Sequence, residues 1–158
     1  MIRTPALASI WLALPYWAQR LILWVSNTHF LVGTAALVRD GDGRILLARH
    51  TYRRRAPWGL PGGWVRRGES PADALVRELR EETALDIEVT HPLTIRAESA
   101  AHLTVFYGAR LVGGTFRPSA EVSEVRFIER GVWPDGLRED HRTLIERFGG
   151  QTAPCASA

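Results

Sequence analysis

From Ser70 to Leu85 the chain changes between apolar and charged residues with a helical period. Side chains three or four apart on a helix are neighbours, so Glu78 and Glu82 share a face and Glu81 lies one turn from Glu78. Ala72, Leu75, Val76, Leu79 and Thr83 form an opposite arc suited to packing on a sheet. Ser70 followed by Pro71, with Asp73 beyond, marks the helix start as an N-cap, a first-turn proline and a capping acid. Elsewhere from Phe30 the pattern is one of short strands. Phe30 to Val38 and Arg44 to Arg49 flank the turn Asp40-Gly41-Asp42-Gly43, a hairpin signal. Asp86 to Thr90, Leu93 to Arg96, His102 to Leu111 and Val122 to Ile128 are further strands, with Gly113-Gly114 ending the long one. A second helix is expected over Arg138 to Phe148. Strands, a helix, more strands and a helix predict a mixed α/β layering.

Residues 5–25 follow neither pattern cleanly. Ile10, Leu14, Trp17, Leu21 and Trp24 make a helical stripe, yet Trp11, Leu12, Tyr16, Ile22 and Leu23 leave the other faces apolar too. Pro15, Gln19 and Arg20 interrupt the run, which falls short of the roughly 18 apolar residues of a membrane span. Arg3 ahead of an apolar stretch resembles a signal peptide, but no small-x-small cleavage site stands out. Packing on the domain or on a homodimer partner is the first expectation, and lying on a membrane surface the second.

A chain of 158 residues, 46% of them apolar, accommodates one domain with additions. The expected organisation is an apolar helical extension over 1–28, one folded domain over 29–148 and an unordered tail over 149–158. The formal charge is +3 and all basic residues are arginine. Genome composition is the simpler reason for that bias; the functional one is that arginine suits bidentate phosphate recognition. A single cysteine, Cys155 in the tail, excludes an internal disulfide and fits a reducing cytoplasm.

The carboxylate stripe is where chemistry enters. Like charges at helical spacing cost a few tenths of a kcal/mol each, so three on one face need solvent, arginine or a cation. Arg77 and Arg80 supply part of that compensation. Upstream, Trp58-Gly59-Leu60-Pro61-Gly62-Gly63 is a turn whose glycines let backbone carbonyls approach a ligand closely. Clustered carboxylates with backbone oxygens make a hard site of the kind Mg²⁺ or Mn²⁺ prefers over zinc. Such an ion bridges phosphate oxygens and offsets charge growing in the transition state.

Residues 63–85 resemble the Nudix box, Gly-x5-Glu-x7-Arg-Glu-U-x-Glu-Glu-x-Gly-U with U a bulky aliphatic. Gly63, Glu69, Arg77, Glu78, Leu79, Glu81, Glu82 and Leu85 match, and Ala84 replaces the last glycine. That glycine tolerates left-handed geometry after the helix, which costs an alanine about 1 kcal/mol. The departure touches no ligand.

The resemblance implies a Nudix-type α/β/α sandwich with a mixed sheet. It also implies a pyrophosphohydrolase whose metal ligands are Glu78, Glu81, Glu82 and the Gly63 carbonyl, with Arg77 orienting carboxylates such as Glu69 or Glu81. The general base in this family is a helix or a downstream loop glutamate; Glu121 leads the loop candidates, ahead of Glu124 and Glu98. The run His50-Thr51-Tyr52-Arg53-Arg54-Arg55 leaves a strand just before the metal loop, so Arg53, Arg54 and Arg55 are candidates for holding phosphates, against the simpler reading of a solvated turn. Tyr52 or Trp64 could stack on a base, whereas Trp58 reads as packing. His102 and Phe106, alternating along a strand, read as structural.

The implied substrate is a nucleoside diphosphate joined to another moiety, such as a nucleotide sugar or an ADP-ribose-like compound. The alternative within the same chemistry is an oxidised nucleoside triphosphate. Subclass markers do not choose: no proline stands about fifteen residues past the box, as ADP-ribose hydrolases tend to have, nor a tyrosine slightly further on. A non-catalytic nucleotide sensor is disfavoured by the intact Glu78, Glu81 and Glu82. RNA binding would want a basic stripe interleaved with aromatics, and only the short arginine run offers one. A membrane-peripheral protein acting on lipid-linked diphosphates is the third class, carried by residues 5–25. Expected location is the cytoplasm, with membrane attachment as the variant.

Overall fold

The computed structural model describes residues 9, 11–26 and 30–150; expectations resting on Arg3, Pro5, Ile10 and Cys155 lie outside them. The chain divides into two compact units, Met1–Phe30 and Leu31–Ala158.

In the first unit, α1 spans Tyr16–Ser26. It begins directly after Pro15, whose carbonyl accepts from the Ala18 and Gln19 N–H groups, so the proline sits where a helix needs no donor. The Gln19 amide donates to the Trp11 and Leu14 carbonyls, both at 3.0 Å, and ties the preceding turn to the helix. No residue of α1 is buried, and Tyr16, Trp17, Leu21 and Val25 stay exposed around it. Among the described residues no helix is long and apolar enough to cross a membrane.

Among the described residues the second unit has seven strands: β1 Leu31–Arg39, β2 Ile45–His50, β3 Trp58–Gly59, β4 Gly62–Trp64, β5 Leu85–Ser99, β6 His102–Gly114 and β7 Val122–Ile128. Its helices are α2, Pro71–Thr83, and α3, Glu139–Phe148. The expected hairpin joins β1 to β2. Asp40 Oδ1 accepts from the Asp42 and Arg44 N–H groups at 3.0 and 2.9 Å, and Gly43 supplies the positive φ of 80° that closes the turn.

Only the rung Arg39↔Ile45 joins β1 and β2 directly, and beyond it the strands part. β1 continues beside β6, parallel along its whole length, and beside β4, antiparallel. β2 goes with β3 and β7, both antiparallel. The sheet thus has two limbs that diverge from one hairpin.

Both faces of β1 are buried. Ala35 and Leu37 join Ile45, Leu47, Phe106, Leu144, Ile145 and Phe148 in a core closed by α3. Ala36 and Val38 join Leu46, Leu75, Leu79, Leu85 and Ala109 in a second core closed by α2. Each buried Leu contributes about 1.5–3 kcal/mol, and the two cores make the α/β/α layering.

The ends of α2 follow the sequence signals. Ser70 Oγ accepts from the Asp73 N–H at 3.1 Å and donates to Asp73 Oδ2 at 2.7 Å. At the other end Ala84 takes φ 58° and ψ 20°, its N–H bonded to the Arg80 carbonyl. Among the described residues it is the one non-glycine with positive φ.

Three features depart from expectation. β3 and β4 arise within the glycine-rich turn. The two strands expected between Asp86 and Arg96 are one long strand, β5, whose pairing with β6 shifts register at several irregularities, including one at Pro92/Thr94. Pro92 is tolerated because β5 ends the strand order and needs no N–H on its outer side. On α2, Ala74 is buried where Ala72 was expected, and Glu82 joins the buried set.

Candidate functional site

β4 and α2 meet where Gly63 faces Glu78. A Cβ on residue 63 would lie 2.5 Å from Glu78 Cγ and Cδ, so only glycine leaves room for that carboxyl group against the strand. Arg77 organises the surrounding acids. Its Nε and Nη2 hold Glu69 at 2.8 and 2.9 Å, and Nη1 reaches Glu78 at 2.7 Å and Glu81 at 3.2 Å. Nη2 also donates to the Trp64 carbonyl at 3.1 Å. Arg77 therefore faces carboxylates and backbone. Its hydrogen bonds hold the Glu69 carboxyl at about 2, well below the ordinary carboxylate range.

The three box glutamates differ in setting. Glu81 is the outer one, paired with Arg66 as well as Arg77 and half exposed. Glu78 is largely covered. Glu82 is 9% exposed, and its carboxyl group is pushed up to about 7, first by burial and then by the charges of Glu121 and Glu78, against a smaller opposing pull from Arg53.

Glu121 is held in place by its loop. Thr51 donates its N–H to the Glu121 carbonyl at 2.9 Å and its hydroxyl to the Ala120 carbonyl at 2.7 Å. Ser119 Oγ accepts from the Glu121 and Val122 N–H groups at 3.2 and 3.1 Å. Glu124 instead pairs with Arg126 on the surface.

Among the described residues no three His, Cys, Asp or Glu side chains are gathered around a metal-sized point. Glu78 and Glu81 are instead bonded to Arg77. The donor set nevertheless fits a hard divalent cation. Glu78 and Glu82 project from one face of α2, the glycine at 63 opens a cradle beside Glu78, and the Glu121 and Glu78 charges that add to burial in raising Glu82 are what a cation would offset.

Next to this corner, a cavity of about 250 Å³ opens between the two limbs of the sheet. Of the residues expected to bind substrate, Tyr52, Arg53 and Trp64 line it, as do Gly63 and Glu121. Arg54 and Arg55 do not: both are exposed, because the turn after β2 directs only the first of the three arginines inward.

Residues not anticipated complete the wall. Thr34, Thr104, Arg138 and His141 line the cavity, as do Glu98, read from sequence only as a third-choice base, and His102 and Phe106, read as structural. His102 packs on Trp64 with ring centroids 4.7 Å apart and hydrogen-bonds Thr104 Oγ1. His141 Nδ1 accepts from the Leu60 N–H at 2.8 Å; burial and then Arg138 depress its basicity, leaving a neutral ring with its proton on Nε2. His50 behind Tyr52 is likewise lowered, to about 4, by burial and then Arg53. Arg138 bonds Glu98 Oε2 at 3.3 Å and chelates Asp140. The three-residue spacing of Arg138 and His141 at the start of a helix was a usable signal; Thr34 carried none.

Comparison with known proteins agrees with this arrangement. The NUDIX domain family model matches residues 29–148. An ADP-ribose pyrophosphatase of Methanocaldococcus jannaschii is 25% identical over 125 residues, 76% of this chain and 73% of that protein. A mouse 8-oxo-dGDP phosphatase is 25% identical over 100 residues, 63% of this chain but 31% of its own length. The crystal structure of an ADP-ribose pyrophosphatase from Streptococcus suis superposes with a TM-score of 0.62 at 26% identity, covering 77% of this chain and 92% of that one. With a box helix, its glycine-rich turn and a two-limbed sheet closed by helices on both sides, the chain belongs to the Nudix family of pyrophosphohydrolases.

Proposed function

We propose that the protein hydrolyses the diphosphate linkage of a nucleoside diphosphate derivative with Mg²⁺ or Mn²⁺ as cofactor. The observation that carries this reading is the Gly63 cradle that seats the Glu78 carboxyl group against β4, at the rim of a cavity lined by Gly63, Glu121 and Arg53. In this reading Glu78, Glu82 and the Gly63 carbonyl would hold the cation, with Glu81 as a further candidate ligand. When bound, the cation supplies positive charge to phosphate oxygens. Glu121 accepts the proton of the attacking water. Arg77 fixes the carboxylates from behind, and Arg53, which lines the cavity, is the arginine available to the phosphates. Tyr52 and Trp64 border the space left for the nucleoside. The names of the archaeal and streptococcal relatives favour an ADP-ribose-like substrate. The mouse relative supports a second reading, an oxidised guanine nucleotide.

A magnesium-dependent screen of nucleoside diphosphate derivatives and oxidised nucleotides, with wild type beside Glu82→Gln, tests the proposal. Wild type should release nucleoside monophosphate, and the variant should be slower by on the order of a thousandfold. Wild type inert toward every compound, or a variant equally active, would sink it.

A further inference from the structure

Four buried side-chain polar atoms among the described residues have no hydrogen-bond partner: Thr34 Oγ1, His50 Nε2, Arg53 Nη1 and Glu98 Oε1. Such atoms are rare in folded proteins, yet Thr34, Arg53 and Glu98 all line one cavity. Their chemistry differs. Arg53 acts on Glu82 electrostatically and offers a donor, which suits a phosphate. Glu98 offers only acceptors, which repel a phosphate and attract N–H groups. Its Oε2 is taken by Arg138 at 3.3 Å, and Arg138 is itself anchored by Asp140. Oε1 is therefore the spare acceptor, and the terminal torsion of a glutamate is soft enough to turn it to the cavity face. Glu121 and Glu78, and not Glu98, are the carboxylates that chiefly raise Glu82, so Glu98 is poorly placed to act as the base. The wall it shares carries Trp64, His102 and Phe106, flat apolar surfaces that suit a planar ring.

We propose that Glu98 is a specificity-determining residue that accepts a hydrogen bond from an N–H of the substrate's nucleobase, with the phosphates held at the Arg53 end. The assignment rests on the nucleotide reading given above. It gives the cavity two complementary groups, an acceptor for the base in Glu98 and a donor for the phosphates in Arg53.

The test measures binding of nucleoside 5′-monophosphates by calorimetry in the presence of a chelator, so that neither metal nor turnover is needed. The set carries adenine, guanine, cytosine, uracil and unsubstituted purine, whose ring has no N–H. At least one natural base should bind on the order of tenfold or more tighter than purine. Glu98→Gln should bring all five within about threefold, because Arg138 claims the amide oxygen and leaves an NH₂ facing the base. Purine binding as tightly as the best natural base overturns the proposal on wild type alone, whatever the variant's folding. So does an equal loss for all five in the variant, which would mark a ribose or structural contact, or no binding at all. Hydrolysis is scored separately. Base-selective binding without turnover of any diphosphate would refute the enzymatic reading and leave Glu98 as assigned; turnover without base selectivity would do the reverse.

Discussion

Glu82→Gln should make the metal-free protein more stable while destroying its activity. The buried carboxyl of Glu82 is raised from an ordinary 4.5 to about 7. The native state thus binds its proton more tightly than the unfolded chain does, and stability falls as pH rises from about 4.5 to about 7, then levels off. At about 1.36 kcal/mol per pH unit the full penalty above pH 7 is on the order of 3 kcal/mol; water in the adjoining cavity screens it to about 2 kcal/mol. A glutamine keeps the shape and removes the charge. For a chain of this size the melting temperature should rise by about 4–8 °C at pH 8, and by little at pH 4.5, where the native glutamate is already protonated. The assay is thermal unfolding of both proteins in chelator across that pH range. Adding Mg²⁺ should then stabilise wild type more than the variant. No gain at pH 8, or the same gain at both pH values, would refute the electrostatic account of the site.

Ala84→Gly should raise stability by about 0.5–1 kcal/mol, or about 1–4 °C in melting temperature, with kcat unchanged, since it relieves a left-handed residue that follows the helix and contributes no ligand. Gly63→Ala should cost on the order of a hundredfold in kcat/KM, because a Cβ 2.5 Å from Glu78 displaces the carboxylate; full activity with an intact fold would show that Glu78 is not needed there. Arg77→Ala should narrow its stability deficit as pH falls from about 4.5 to 2. The Glu69 carboxyl held at about 2 contributes above its unfolded value and is lost on protonation, so a deficit independent of pH would argue against that pair.

The box helix was legible because three independent patterns agree on it: the cap at Ser70, the apolar arc of Leu75 and Leu79, and the acids opposite. Even the cost at Ala84 could be read, since left-handed geometry follows from its place after the helix. β3 and β4 could not be found by periodicity, being two and three residues long and stabilised by pairing alone. β5 looked like two strands because His91-Pro92 is a break in most contexts and is harmless on a sheet edge. The cavity was half legible. Arg53 and Glu121 flank the box in sequence, whereas Glu98, Arg138 and His141 come from a strand end and a helix start that only the folded topology brings together. Burial of Glu82 was missed for a similar reason: helical phase separates faces but does not say which of them the rest of the fold covers.

The single rung between Arg39 and Ile45 leaves the two limbs lying like the covers of a partly open book, tied again farther out where β3 on one limb runs through Leu60-Pro61 into β4 on the other. Its spine is the Asp40–Arg44 turn, and the cavity lies at the fore-edge, between the start of β1 and the residues that follow β2. Width at the fore-edge depends on how far the covers part, which the residues filling the fold between them set, among them Leu37, Leu47 and Phe106. Substitutions there can retune which leaving group fits while every letter of the box stays the same.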